Sequence, residues 1–249
     1  MDSIDLKELR IISYIALIIL ILMIVNSFLG DITFRLKYTN AKVTQTAKMP
    51  NPKTDFPVQN TRGEDEQEFI KYYTEKREVY ALKTMADYSI SGLVVATNTN
   101  FFLRDVLRTQ FDEVCLMDIG LVWGEIADKS YVKKHLRFKS TKTLGQARQL
   151  SVSTPDYQAM PHKWGYVSNH MSHTHLIPGS VNVMSALLKI KKYDIVKLDG
   201  YLVDIYTDKG EVVAKTSLSR GDNNAQSRGY GACEDLYVTQ VQIENKIYR

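Results

Sequence analysis

From Ile11 through Gly30 the chain carries no Asp, Glu, Lys or Arg, and Ile and Leu dominate the run. At 1.5 Å per residue, about 20 helical residues cross about 30 Å, the thickness of a bilayer's hydrocarbon core. A helix apolar on every side has no face to give to water, so residues 11–30 are expected to form a transmembrane anchor. Its polar members, Ser13, Tyr14, Asn26 and Ser27, sit near the ends, and Tyr14 suits an interfacial position. A cleaved signal peptide is the rival, with Val25 and Ser27 as the small residues before a cut. Against it, the apolar core is long, and the tail over residues 1–10 sets Asp2, Asp5 and Glu8 against Lys7 and Arg10. A signal peptide begins clearly positive. The expectation is therefore a retained single-pass span. Its orientation stays open. Basic residues after the span slightly favour a cytoplasmic domain, whereas a short tail before a large domain is the usual form of an exporting anchor.

Behind the span, residues 31–63 read as a juxtamembrane segment and linker. Thr39 to Gly63 is rich in Thr, Asn, Gln and Lys, holds Pro50, Pro52 and Pro57, and lacks an apolar period. As a flexible chain it would span roughly 25–30 Å and let the domain sit away from the bilayer. Residues 64–249 form one domain, large enough to bury its own core. Hydrophobic residues at 44% and charged residues at 24% argue for a folded chain. The 32 basic and 28 acidic residues are intermixed, giving a net charge of +4, so no nucleic acid is expected as a partner. The small clusters Lys133-Lys134 and Lys189-Lys191-Lys192 read as solvated surface, with anionic lipid headgroups as the competing partner. Two cysteines, Cys115 and Cys233, are too few for a disulfide scaffold or a four-cysteine zinc site. They are either buried thiols or one long-range bridge, according to compartment.

Periodicity gives the elements. Asp31 to Tyr38 reads as a short strand or an extension of the helix. Glu64 to Lys76 runs from acids to bases and reads as a short helix. Val79 to Leu82 and Tyr88 to Ala96 read as strands, and Arg148 to Ser153 as another. Val181 to Lys191 is an amphipathic helix with Ser180 as its N-cap. Asp194 to Tyr206 alternates, with a break near Gly200 of the kind a bulge makes. Asp208-Lys209-Gly210 is a hairpin turn, and Glu211 to Ser219 and Leu236 to Ile243 complete a strand-rich half. Strands outnumber helices and short turns join them. The expected fold class is α+β: a transmembrane helix followed by a mainly antiparallel β domain, in the form of an OB-like curved sheet or barrel with a few helices.

Three segments carry candidate chemistry. "SNHMSHTHLIP" places His170, His173 and His175 within six residues. Neutral imidazoles bind transition metals. His173 and His175 would share one side of a strand, His170 would come from a loop, and Glu234, Asp222 or Asp118 would add a carboxylate. The alternatives are a hydrogen-bonded loop or a general base. "TSLSRGDNNAQSRGYGACE" gathers Arg220, Asp222, Arg228 and Glu234 among glycines. Arginine beside a carboxylate clamps an anion or closes a loop as a salt bridge, and the glycines lack the following Gly-Lys-Ser/Thr of a phosphate loop. In "CLMDIGLVWGEIAD", Trp123 and Gly124 read as core and turn. Asp118 in that apolar run needs a partner if buried, and Arg220 or a histidine is the expected one. No nucleophile elbow, His-Glu-x-x-His helix or dinucleotide fingerprint occurs.

Together, "DIGLVWGEIAD", "SNHMSHTHLIPGS" and "DIVKLDGYLVDI…KTSLSRGD…GYGACEDLYV" resemble an uncharacterised family of bacterial proteins with one N-terminal hydrophobic segment. The resemblance covers roughly residues 86–245 and implies a bacterial source and one coherent domain, but no reaction. His175, Arg220, Asp222, Cys233 and Glu234 match its pattern, while His170 and His173 do not. Extra residues stand between Asp222 and Gly231.

The leading expectation is a membrane-tethered interaction or assembly domain of a bacterial envelope, held in the inner membrane with an envelope protein as partner. The first alternative is an anchored hydrolase of phosphodiester or cell-wall bonds, with His175 as base or acid, Arg220 holding an anion and Asp222 or Glu234 assisting. The second is metal binding by the histidine cluster.

Overall fold

The apolar run forms a helix that is longer than the run itself. In the computed structural model, which describes residues 6–99, 109–142, 148–219 and 233–249, helix α1 covers Leu6–Lys37. Its segment Arg10–Lys37 is long and apolar enough to cross a membrane, and its large side chains from Ile11 to Leu29 are mostly exposed. Residues 31–37 are thus a helix extension. Its last turn is built into the β domain. Phe34 and Tyr38 are buried against Leu116 and Met184. Arg35 donates to Thr99 Oγ1 at 2.8 Å, and the Tyr38 hydroxyl donates to Glu75 at 2.7 Å.

The linker expected over 39–63 lies across the domain instead. Strand β1 (Gln45–Thr46) pairs with the chain's last strand, and strand β2 (Val58–Thr61) pairs antiparallel with residues 86–89. Between them the Pro52 carbonyl accepts from Gly124 N at 2.9 Å. Polar composition suggested a free chain, yet the backbone groups of this segment find partners along sheet edges. The domain is therefore fixed to the helix rather than hung from it.

The helix expected over Glu64 to Lys76 is also corrected. Three acids make one 3-10 turn, and Phe69–Tyr73 is strand β3, paired antiparallel with Val79–Lys83. The two strands expected from Val79 to Ala96 are one bent strand, β4 (Val79–Thr99), whose register slips at Thr84/Ala86 and again at Val94/Ala96. The bends let a single strand serve several neighbours.

After helix α2 (Gln110–Val114), strand β5 (Met117–Val122) pairs with β4. Helix α3 (Lys129–His135) leads into a hairpin, β6 (Arg137–Lys142) and β7 (Arg148–Ser153). Helix α4 (Trp164–Asn169) precedes strand β8 (Met171–Pro178), and α5 (Val181–Leu187) follows it, with the Ser180 side chain accepting from Val183 N as its N-cap. The C-terminal half is β9 (Ile195–Thr207), β10 (Val212–Ala214), β11 (Glu234–Ile243) and β12 (Lys246–Tyr248). Gly210 turns the β9–β10 hairpin at φ 81°.

Strand β11 pairs in parallel with β8 and antiparallel with β9, so β4, β5, β8, β11 and β9 close a five-stranded ring. This is the OB-like barrel, with α5 between its third and fourth strands. Gly200 is required where β9 meets β11: a Cβ there would lie 1.9 Å from the Tyr237 carbonyl oxygen. The expected bulge sits opposite, as a register slip between Val238 and Gln240. Tyr88, Ile90, Ile119, Leu121, Leu176, Leu198, Leu202 and Leu236 fill the interior, closed by Val183, Ala186 and Leu187 of α5. Strand alternation then turns Asp118, Gly120, His173 and His175 to the outer face. The β6–β7 hairpin covers that face through Phe138, Leu150 and Val152, packed against Leu93, Val95 and Val122.

Candidate functional site

On β5 and β8 the outer face carries charge beneath a cover. Asp118 stands opposite His175 in the antiparallel pairing, and Gly120 stands opposite His173. Gly120 is needed for the cover: a Cβ there would lie 2.9 Å from Leu150 Cδ2 of β7. His173, His175 and Asp118 are all buried, so each needs partners within the protein.

Asp118 has two. Its Oδ1 accepts from His175 Nδ1 at 2.7 Å and from Arg148 Nη1 at 2.6 Å. An ionised carboxylate only accepts, so His175 presents its Nδ1–H to Asp118 and keeps Nε2 for another partner. Of the two partners expected for Asp118, the histidine is present, and Arg220 lies outside the described residues. The cation that the structure supplies is Arg148. It also donates through Nε and Nη2 to Asp112 Oδ1, at 3.1 and 2.6 Å, and through Nη2 to the Cys115 carbonyl at 2.6 Å. Asp112 uses its other oxygen to cap α2, accepting from Thr109 N at 2.9 Å and from the Thr109 hydroxyl at 2.8 Å. Phe111 lies under the guanidinium at 4.9 Å and edge-on to His175 at 5.0 Å.

The charges set the protonation states. Burial alone would raise the Asp118 carboxyl; the facing His175 and Arg148 outweigh it and hold it at about 2. Burial, with His175 beside it, pushes His173 down to about 3, so His173 is a neutral imidazole. Burial pushes Asp235 up to about 7 and the Cys115 thiol well above its usual range. Cys115 and Cys233 are not bridged to each other.

His173 faces the thiol of Cys233, with Nδ1 3.2 Å from Sγ. Cys233 immediately precedes β11, and Glu234 pairs with Thr174, so Cys233 arrives level with His173. The donor atoms of His173, His175 and Cys233 lie within 4.8 Å of one another. Among the described residues, His173 Nε2 and Asp118 Oδ2 are buried with no hydrogen-bond partner.

The expected site residues separate. His175 is at the centre of this cluster. Glu234 is one residue out of phase with it and belongs to the inner face, where its Oε2 accepts from Thr174 Oγ1 at 3.5 Å. Arg220, Asp222 and Arg228 lie outside the described residues. His170 is not with the other two histidines. It caps α4, its Nδ1 lies 2.8 Å from the Tyr166 carbonyl, and its ring stacks on Tyr166 at 3.8 Å. From there a ladder of rings continues through His162 to Tyr131 and His135.

Arg148 and Asp112 escaped the sequence reading. A signal was present for Arg148: it is in phase with Leu150 and Val152, on the inward side of an alternating strand. No protein-family model, no curated protein and no solved structure matches this chain.

Proposed function

We propose that the protein is a membrane-tethered interaction or assembly domain of a bacterial cell envelope, anchored by α1 in the inner membrane. The observation that carries this reading is the joint. Phe34 and Tyr38 are buried in the domain while the apolar stretch before them is exposed for lipid. A rigid joint fixes the height and orientation of the barrel over the bilayer, which serves meeting a neighbour more than searching for a substrate. The bacterial source and the envelope setting rest on the family resemblance of the WG, HLIP and GACE segments.

A docking edge lies beside the joint. Strand β3 pairs only with β4 among the described strands and turns Phe69 and Tyr73 outward. An open edge with alternating aromatics accepts an added strand. It borders a cleft of about 390 Å³ between the end of α1 and the barrel, lined by Tyr38, Tyr72, Tyr73, Glu113 and Tyr237. The hydrolase reading gains no support, because Glu234 faces away from His175 and the dyad of His175 with Asp118 is buried under Arg148 and Phe111.

Photo-crosslinking residues placed at Phe69 and Tyr73 test the reading in cells. A discrete membrane-protein adduct from these positions, absent from the equally exposed Tyr157, is expected. A chain that stays monomeric at every position, or that alkaline carbonate strips from membranes, would overturn it.

A further inference from the structure

We propose that His173, His175 and Cys233 form a binding site for a borderline-soft divalent cation of the zinc class, with Asp118 as the outer carboxylate that orients His175. The site is independent of the docking role and uses different residues.

Geometry makes the first argument. Zinc holds sulfur at about 2.3 Å and nitrogen at about 2.0–2.1 Å, so tetrahedral sharing sets N and S about 3.6 Å apart. His173 Nδ1 and Cys233 Sγ are 3.2 Å apart, and the whole set falls within 4.8 Å. The widest separation exceeds the tetrahedral spacing by at most about 1.2 Å, which side-chain rotation has to close. The backbone already aligns them, since β8 alternation places both imidazoles on one face and the parallel neighbour β11 brings the thiol level with them.

The hydrogen bonding makes the second. His175 gives Nδ1–H to a carboxylate and so directs the lone pair of Nε2 outward, the arrangement by which metal-binding histidines are usually fixed. His173 is harder to explain as a core residue. It is 1% exposed, and among the described residues Nε2 has no partner and Nδ1 meets only a thiol, a weak hydrogen-bonding group. Buried imidazoles with a purely structural role are normally satisfied.

The donor set selects the ion. One thiolate with two imidazoles suits zinc and its d-block neighbours, whereas magnesium and calcium take oxygen ligands. Binding converts the Cys233 thiol to a thiolate and releases its proton to solvent. Three protein ligands leave a fourth position for water or another small ligand. His170, expected with the other two from sequence, is replaced in the set by Cys233.

The test uses the full-length chain, purified in detergent, stripped with a chelator and titrated with zinc and with cobalt(II). One ion per chain is expected, and cobalt should give thiolate-to-metal charge-transfer absorption. Cys233→Ser should abolish that absorption, while Cys115→Ser and His170→Ala keep it. Asp118→Asn should weaken zinc binding by roughly 10–100-fold. A folded wild-type chain that takes up no zinc, or a cobalt spectrum without the thiolate band, would overturn the proposal, even if Cys233→Ser itself fails to fold.

Discussion

Along the chain, His170 and His173 are three residues apart, and their surroundings share almost nothing. His173, with His175, is sealed in the barrel wall against a thiol and a carboxylate. His170 belongs to a partly exposed ladder in which rings stack face to face, Tyr166 on His170 at 3.8 Å and His162 on Tyr166 at 4.6 Å. The start of β8 at Met171 divides them. Before it the chain is a helix end, where a ring lies flat against its neighbours. After it, alternation sends every second side chain to one face, where cross-strand partners decide the chemistry. Closeness in sequence is therefore poor evidence of one site, whereas strand phase is good evidence.

The sharpest way to break the comparison is to remove the cation that only the wall cluster depends on. Arg148→Leu leaves Asp112 and Asp118 buried without their guanidinium. Breaking a buried ion pair from one side costs about 3–5 kcal/mol. The variant is expected to lose that much in urea unfolding of the full chain, or to fail to fold. Arg148→Lys keeps the charge but not the planar fork and should fall between. A loss below about 1 kcal/mol would mean that the cluster is not held as described.

Gly124→Ala disturbs the ladder instead. Gly124 has φ 68°, and a Cβ there would lie 2.7 Å from His170 Cδ2 and 2.8 Å from the Tyr166 hydroxyl. The left-handed conformation alone costs a residue with a Cβ about 1–2 kcal/mol. The expected effect is a loss of about 2 kcal/mol with altered fluorescence from the adjacent Trp123 and unchanged metal uptake at the wall. Metal uptake lost together with the ladder would show that the two regions are one unit.

How far these regions were legible follows from the same contrast. The apolar N-terminal helix was readable because a long uncharged run has few places to go, and β9 was readable because alternation flanks the break at Gly200 within its thirteen residues. The pairing of His173 with His175 on one face came from period two alone, and the need of Asp118 for a partner came from its place inside an apolar run. Arg148 was hidden because its meaning depends on a hairpin folding back over a sheet some thirty residues earlier in the chain. Glu64 to Lys76 misled because its run from acids to bases mimics a helix, while pairing with Val79–Lys83 decides that Phe69–Tyr73 is a strand. The segment over 39–63 misled for a related reason: its polar residues carry backbone groups that a sheet edge satisfies as well as water does.

The smallest expected effect lies at the far end of the ladder, and it compares two carboxylates held low for different reasons. Asp118 is held by buried charges. Asp128 is at the surface as N-cap of α3, accepting from Ser130 N at 2.8 Å and from Tyr131 N at 3.0 Å, and the Ser130 hydroxyl holds its carboxyl well below the usual range. Helix α3 carries Tyr131 and His135, the last rings of the ladder. Asp128→Ala should cost about 1 kcal/mol, as loss of a cap usually does. A carboxyl lowered on folding contributes stability that is fully present above its unfolded pKa of about 4 and is lost as pH falls below it. The difference between wild type and Asp128→Ala should therefore be constant from pH 5 to 8, shrink below about pH 4, and leave the wall cluster's cobalt spectrum at neutral pH unchanged. A difference that grows on acidification would show that Asp128 is not held by its cap.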